Sequence, residues 1–203
     1  MKRGSWARRA VRSNFPPMNI FEAIRSRRSI KAFTDRPVSR EEIERLLEAA
    51  VQAPNHRMTQ PWRFYVLGSE GRRAYGAALG ARKAKKVEDA AAAAEMSRKV
   101  EEKHEGLPAM LAVSVVLAPD AEIREEDYAA ACMAIQNLLL AATALGLGTH
   151  LKTGAVMDDP RARAAVGVPE GERIIVTLEL GEPAGVSSAK PRTSASALTT
   201  WVP

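Results

Sequence analysis

The 203-residue chain lacks most of the signatures that would make its chemistry obvious. It has a single cysteine, Cys132, which removes intrachain disulfides and zinc sites built from several thiolates, and which reads as a small core residue. No run of 18 apolar residues occurs, so no segment reads as a membrane-spanning helix. There is no Gly-x-x-x-x-Gly-Lys loop, no His-Glu-x-x-His helix and no Gly-x-Ser-x-Gly elbow. The three histidines, His56, His104 and His150, do not assemble a hydrolytic triad by any familiar spacing. Gly146-x-Gly148 lacks the third glycine of a dinucleotide fingerprint and follows a helical pattern instead of a strand. If the chain is an enzyme, a cofactor carries the hard chemistry.

What is present is ordinary globular material, 46% apolar and 27% charged. A chain of this length buries roughly 70% of its unfolded surface, enough for one domain without a metal or disulfide staple. The net charge of +6 invites a nucleic-acid reading. Residues 1–17, however, hold Lys2, Arg3, Arg8, Arg9 and Arg12 and no acid, so the rest of the chain is nearly neutral. The expectation is a disordered basic tail over 1–17 and a domain over 18–203 whose last segment, 182–203, is an arm. Arg8-Arg9 is not followed by the apolar stretch of an export signal, and the chain reads as soluble and cytoplasmic. Neither a membrane nor a nucleic acid is an expected partner.

Periodicity places the elements. Ile20, Phe21 and Ile24 mark a short helix that runs into the basic stretch Arg25 to Arg28. Ser39 and Glu42 form a capping box ahead of Ile43, Leu46, Leu47, Ala50 and Val51 at helical spacing. A strand is expected over Trp62 to Leu67, and a second, buried on both faces, over Ala112 to Leu117. Between them Arg72 to Glu105 is charged and alanine-rich, and reads as a helical, loosely attached excursion. The dominant helix is predicted over Glu125 to Leu145, with Tyr128, Cys132, Ile135, Leu138, Leu139 and Ala142 on its apolar face. Thr149 to Lys152 is extended. Asp159, Pro160 and Gly167 bracket a short helix, and Ile174 to Leu180 is the last strand.

Four local features suit a planar anionic cofactor. Arg27-Arg28-Ser29 offers two guanidiniums and a hydroxyl to a phosphate. The loop Ala53 to Trp62 is polar and pinned by prolines. Gly148 to Gly154 is a glycine-bracketed strand with a cation, and Lys190-Pro191-Arg192 sits on the terminal arm. Their order, together with Gln60-Pro61-Trp62, Gln136 to Ala142, Ala144 to Thr149, Val168 to Glu172 and Leu180-Gly181-Glu182-Pro183, resembles the FMN-dependent nitroreductase family. The likeness extends over about 18–193 and is strongest to that family's compact bacterial branch.

The resemblance implies an α+β sandwich with an antiparallel-rich central sheet flanked by helices. It implies a homodimer with FMN at two interface sites and a C-terminal arm crossing to the partner subunit. Carried over by position, Arg27, Arg28, Ser29 and Arg192 would hold the FMN phosphate, and Lys31 the edge of the ring that becomes anionic. Gln52 and His56 would reach flavin from the other subunit. Leu151, Lys152, Thr153 and Gly154 would run beneath the ring and ribityl chain. Met58 stands where many members carry an asparagine at the ring edge, which removes a polar contact there. The implied activity is transfer of hydride from NADH or NADPH through FMN to nitro compounds, quinones or similar acceptors by a ping-pong route. Reductive dehalogenation or oxygen-dependent flavin cleavage on the same fold are the alternatives. A flavin-binding protein without turnover, or a nucleic-acid binder using the tail, follows behind them.

Overall fold

A computed structural model describes residues 18–203. The predicted tail over 1–17 and the proposed domain start lie outside or at the edge of that range. Helix α1 (Ile20–Ser26) and helix α2 (Arg40–Ala50) each open on a full capping box, Asn19 with Glu22 and Ser39 with Glu42. Strand β1 (Trp62–Val66) follows, then helices α3 (Ser69–Ala84) and α4 (Ala90–Glu105). Strand β2 (Ala109–Val116) leads to helix α5 (Ala121–Ala144), 24 residues or about 36 Å long. Strand β3 (Gly148–Lys152), helix α6 (Pro160–Val166) and strand β4 (Glu172–Gly181) complete the domain. An arm follows to residue 203.

The sheet runs β1-β2-β4-β3 with every neighbouring pair antiparallel, and its register shifts between Val113 and Ser114. Strand alternation divides the core. Ala109, Leu111, Val113, Leu178 and Leu180 face α2 and α5, where Leu46, Ala134 and Leu138 are fully buried. Met110, Ala112 and Ile174 face the opposite layer with Tyr75, Ala78, Ala162 and Val166. Helices therefore cover both faces of an α+β sandwich.

Three expectations are corrected. The excursion after β1 is a hairpin of two helices, and α3 is no loose attachment: Tyr75, 1% exposed, anchors it in the second core. Its rarity of large apolar residues concealed how much one tyrosine and several alanines bury. Cys132 is exposed, and so is Tyr128. The buried stripe of α5 runs through Ala130, Ala131, Ala134, Ile135, Leu138, Leu139 and Ala142. A helix that is apolar over much of its circumference gives no clear phase, so the neighbouring face was included in error. On α1 the residue that packs inward is Ala23, while Ile20, Phe21 and Ile24 lie on the surface.

Candidate functional site

The segment after α1 is stitched to the sheet edge. Ser29 bridges Thr149 in parallel, and the Ile30 N–H donates to the Thr149 carbonyl at 2.9 Å. Contact is so close that a Cβ on Gly148 would lie 2.7 Å from Ile30 Cγ1, which no side chain tolerates without displacement. Phe33 bridges Pro183, and the Thr34 N–H and hydroxyl donate to the carbonyl and side chain of Glu182 at 2.9 and 2.8 Å. Thus the basic segment, β3 and the root of the C-terminal arm are held at one end of the sheet.

The stitch sets Ser29 and Ile30 against Gly148 and Thr149 of β3, the strand that continues into Leu151, Lys152, Thr153 and Gly154. Ser29, Lys31, Leu151, Thr153 and Gly154 are exposed, and Gly154 sits at φ 127, a conformation open to glycine. The Arg28 guanidinium donates to the carbonyls of Arg25 and Arg27 at 2.6 and 2.9 Å, which fixes it over the helix end. Among the described residues the Arg27 side chain makes no hydrogen bond or ion pair. Arg27, Arg28, Lys31 and the Ser29 hydroxyl, with no carboxylate paired to them among the described residues, fit a phosphate.

Gln52, His56 and Met58 form a separate exposed group on the turn between α2 and β1. That turn is tied to α5 by a hydrogen bond from Thr59 Oγ1 to Asp127 at 2.6 Å and an ion pair between Arg57 and Glu126 at 3.2 Å. Arg57, Met58 and Gln60 all have positive φ, 57°, 53° and 46°, a strained run for residues other than glycine. Arg192 lies on the exposed arm, donating only to its neighbours' carbonyls. Among the described residues no hydrogen bond, ion pair or β-bridge joins these positions to the Arg27 group.

Lys152 is engaged elsewhere. Its ammonium pairs with Glu179 on β4, a carboxylate whose side chain is 1% exposed. His150 Nδ1 lies 3.0 Å from the other Glu179 oxygen, and Lys103 Nζ from α4 lies at 3.5 Å. Burial opposes the Glu179 charge, but the Lys152 hydrogen bond and charge, with His150 and Lys103, hold its acidity below the usual carboxylate range. Burial also pushes the Lys152 amine down, Glu179 resists, and the charges of Lys103 and Lys83 push the same way as burial. Lys152 therefore offers the Arg27 group its backbone and its β3 geometry more than a bare charge. This buried cluster escaped the sequence reading. The signal was a glutamate inside Ile174 to Leu180, because a carboxylate in an apolar strand demands a partner.

His104 completes the cluster. It is 2% exposed, its Nδ1 lies 2.7 Å from the Val100 carbonyl, and its Nε2 has no hydrogen-bond partner, 3.8 Å from Glu179 Oε1. Nδ1 must carry the proton to donate to that carbonyl, so Nε2 is a bare lone pair. Burial depresses its affinity for a second proton, with the Val100 carbonyl partly opposing and Lys152 adding to the effect. A folded-state pKa below the unfolded value means stability is intact above about pH 6.5 and falls as pH drops toward the folded value. Denaturant titrations from pH 7 to pH 5 should show a loss with slope up to about 1.4 kcal/mol per pH unit. His104→Phe should flatten that slope.

The nitroreductase family pattern matches residues 24–182, which contains the whole sheet and the segment stitched to it. The chain belongs to the nitroreductase family. The predicted NAD(P)H nitroreductase YfhC of Bacillus subtilis is 34% identical over 181 residues, covering 85% of this chain and 88% of that one. A nitroreductase-like protein of Bacillus cereus superposes with a TM-score of 0.80 at 28% identity, covering 93% and 98% of the two chains. A predicted nitroreductase of Desulfovibrio desulfuricans, solved in complex with FMN, superposes with a TM-score of 0.68 at 28% identity, covering 91% and 96%. As a nitroreductase the chain is an oxidoreductase, which agrees with what the resemblance implied. Among the described residues no helix is long and apolar enough to cross a membrane.

Proposed function

We propose that this nitroreductase binds FMN at the Arg27 group and uses it to carry electrons from NAD(P)H to a small organic acceptor. The observation that carries the reading is the cationic segment Arg27 to Lys31, which has no ion-pair partner among the described residues and is fixed to β3 through Ser29, Ile30 and Gly148. Arg27 and the Ser29 hydroxyl would grip the phosphate, with Arg28 adding its charge from the helix end. Arg192 would join them from the arm. Leu151 to Gly154 would form the floor, its Leu151 side chain and bare Gly154 backbone allowing a flat ring close approach. Lys31 would set a positive charge beside the ring edge. Bound FMN would supply the redox chemistry, accepting from NAD(P)H and donating in a separate half-reaction to a nitro compound, quinone or similar acceptor, a ping-pong order.

The same reading makes the protein a homodimer in the cytoplasm, where NAD(P)H is available. Exposed apolar residues support self-association: Phe21 is 67% exposed on α1, Tyr128 and Met133 are exposed on α5, and Trp201 is 90% exposed on the arm. In such a dimer the arm with Arg192 and the turn with Gln52, His56 and Met58 would reach the partner's Arg27 group.

A visible spectrum of the purified protein, followed by anaerobic NADH or NADPH, tests the proposal. Flavin bands should appear, bleach with a nicotinamide and return with a nitroarene. Bands that persist without bleaching would reduce the protein to a flavin binder. A colourless protein that takes up no FMN would overturn the site. Oxygen-dependent consumption of the FMN itself would favour the flavin-cleaving alternative.

A further inference from the structure

The hairpin of α3 and α4 holds a feature that the cofactor site does not use. The two helices touch backbone to backbone: a Cβ on Gly80 would lie 2.7 Å from the Ser97 carbonyl oxygen, and one on Gly76 would lie 2.8 Å from His104 Cβ. Beside this contact opens a cavity of about 430 Å³, lined by Leu79, Val87 and Met96 together with Arg82, Lys83 and Lys86. That volume falls within the range that accommodates small-molecule ligands.

The lining is two-sided. Leu79 is partly buried against the core that contains Tyr75, so the apolar floor rests on a fixed part of the fold. Of the hairpin's acids Glu101 pairs with Arg73, Glu95 with Arg98 and Lys99, and Glu102 with Arg98, while Asp89 accepts from the Ala92 N–H as the cap of α4; Glu88, next to Val87, is the one acid beside the three lining cations that makes no such contact among the described residues. Among the described residues Arg82, Lys83 and Lys86 have no ion-pair partner. Cations at a helix C-terminus are favoured by the helix dipole, which explains a positive end to α3 but not the apolar hollow beneath it. The hairpin that holds the cavity also reaches β3, because Lys103 and His104 of α4 lie at Glu179, the carboxylate that pairs with Lys152.

We propose that this cavity binds an amphipathic organic anion, a ring system bearing a carboxylate or sulfonate, with the ring on Leu79, Val87 and Met96 and the acidic group held by Arg82, Lys83 and Lys86. Arginine and lysine around an apolar floor reward a ligand that supplies both parts, and a purely inorganic anion leaves the floor wet. The cavity's role is to favour anionic acceptors over neutral ones, a role that rests on the redox function proposed above.

Binding and turnover test the two levels separately. In the FMN-loaded protein carrying 13C-methyl methionine, 1-naphthoate should shift the Met96 methyl resonance, assigned with Met96→Leu. Isosteric 1-naphthalenemethanol should bind at least roughly tenfold more weakly, and R82E/K83E/K86E should weaken naphthoate by at least roughly tenfold. The ratio of kcat/KM for a carboxylated over an uncharged nitroarene should fall by a similar factor in the same variant. Reduction of neither nitroarene with naphthoate binding intact would refute the redox reading and leave the anion site standing. Reduction of both with no Met96 shift, or equal binding of acid and alcohol, would overturn the site. A charge reversal that raises KM for NADPH alone, with no naphthoate binding, would overturn it too and assign the cations to the donor's phosphate.

Discussion

Arg27→Ala is expected to melt at the same temperature as the parent apoprotein while holding FMN about a hundredfold more weakly. Removing one hydrogen-bonded partner of a charge pair costs about 2–5 kcal/mol, and the exposed setting of Ser29 and Lys31 places this loss near the lower half of that range. Stability should not move because the Arg27 side chain makes no intramolecular hydrogen bond or ion pair among the described residues, and such surface changes stay within about 0.5 kcal/mol. FMN fluorescence titration and calorimetry of the apoprotein read the two halves of the prediction. Arg28→Ala supplies the contrast. Its guanidinium ties down the carbonyls of Arg25 and Arg27, so its loss should loosen the helix end and weaken FMN less. An Arg27→Ala protein that keeps its flavin at full affinity would move the phosphate away from this segment.

Glu179→Ala should destabilise the fold by several times the effect of an ordinary surface change. The carboxylate pairs with Lys152, lies 3.0 Å from His150 Nδ1 and neutralises Lys103, and its removal leaves a half-buried ammonium without its counter-charge. Breaking a buried pair costs about 3–5 kcal/mol, and the partial wetting of Lys152 and Lys103 places the expected loss near about 3 kcal/mol. For a domain of this size that lowers the melting midpoint by roughly 6–12 °C. Glu179→Ala/Lys152→Met should recover much of it, because the uncompensated charge goes with its partner. Equal melting of the single and double variants would show that packing and not charge sets the cost.

Much of the frame was visible in the chain because local signals and tertiary demands agree there. Ser39 with Glu42, and Asp159 with Pro160 and Gly167, fix their helices by capping and backbone conformation alone, and the structure reproduces them. The nearly continuous apolar run of β2 marked a strand covered on both sides. Arg27, Arg28 and Ser29 entered the proposed phosphate grip only through their order with the other segments, because two guanidiniums at a helix end serve equally well as solvated charges. The failures share a cause, which is dependence on a distant partner. Cys132 and Tyr128 were misassigned because the packed side of α5 is decided by where the sheet lies, and its alanines point every way. Glu179 comes from β4 and Lys103 and His104 from α4, and no spacing in the chain brings the two elements together. The cavity beside Gly80 depends on how closely two helices approach, which glycine permits but does not announce.

The strand order has a consequence for how the protein is made. Strand β4 is the last to leave the ribosome, yet it lies in the interior of the sheet, between β2 and β3. Until it emerges, β2 has only β1 beside it, and Ala109 to Val116 presents an open edge of aliphatic residues with no proline. Translation from Val116 to Gly181 takes roughly 3–13 s at about 5–20 residues per second. For that interval the nascent chain carries the kind of β-prone, uncharged segment that pairs with other chains. The long helix α5 is synthesised within the same window and packs on β2, so it shields one face of the strand while its edge waits. Slower elongation lengthens the exposure, and chaperone binding during synthesis should therefore concentrate between the completion of β2 and the arrival of β4.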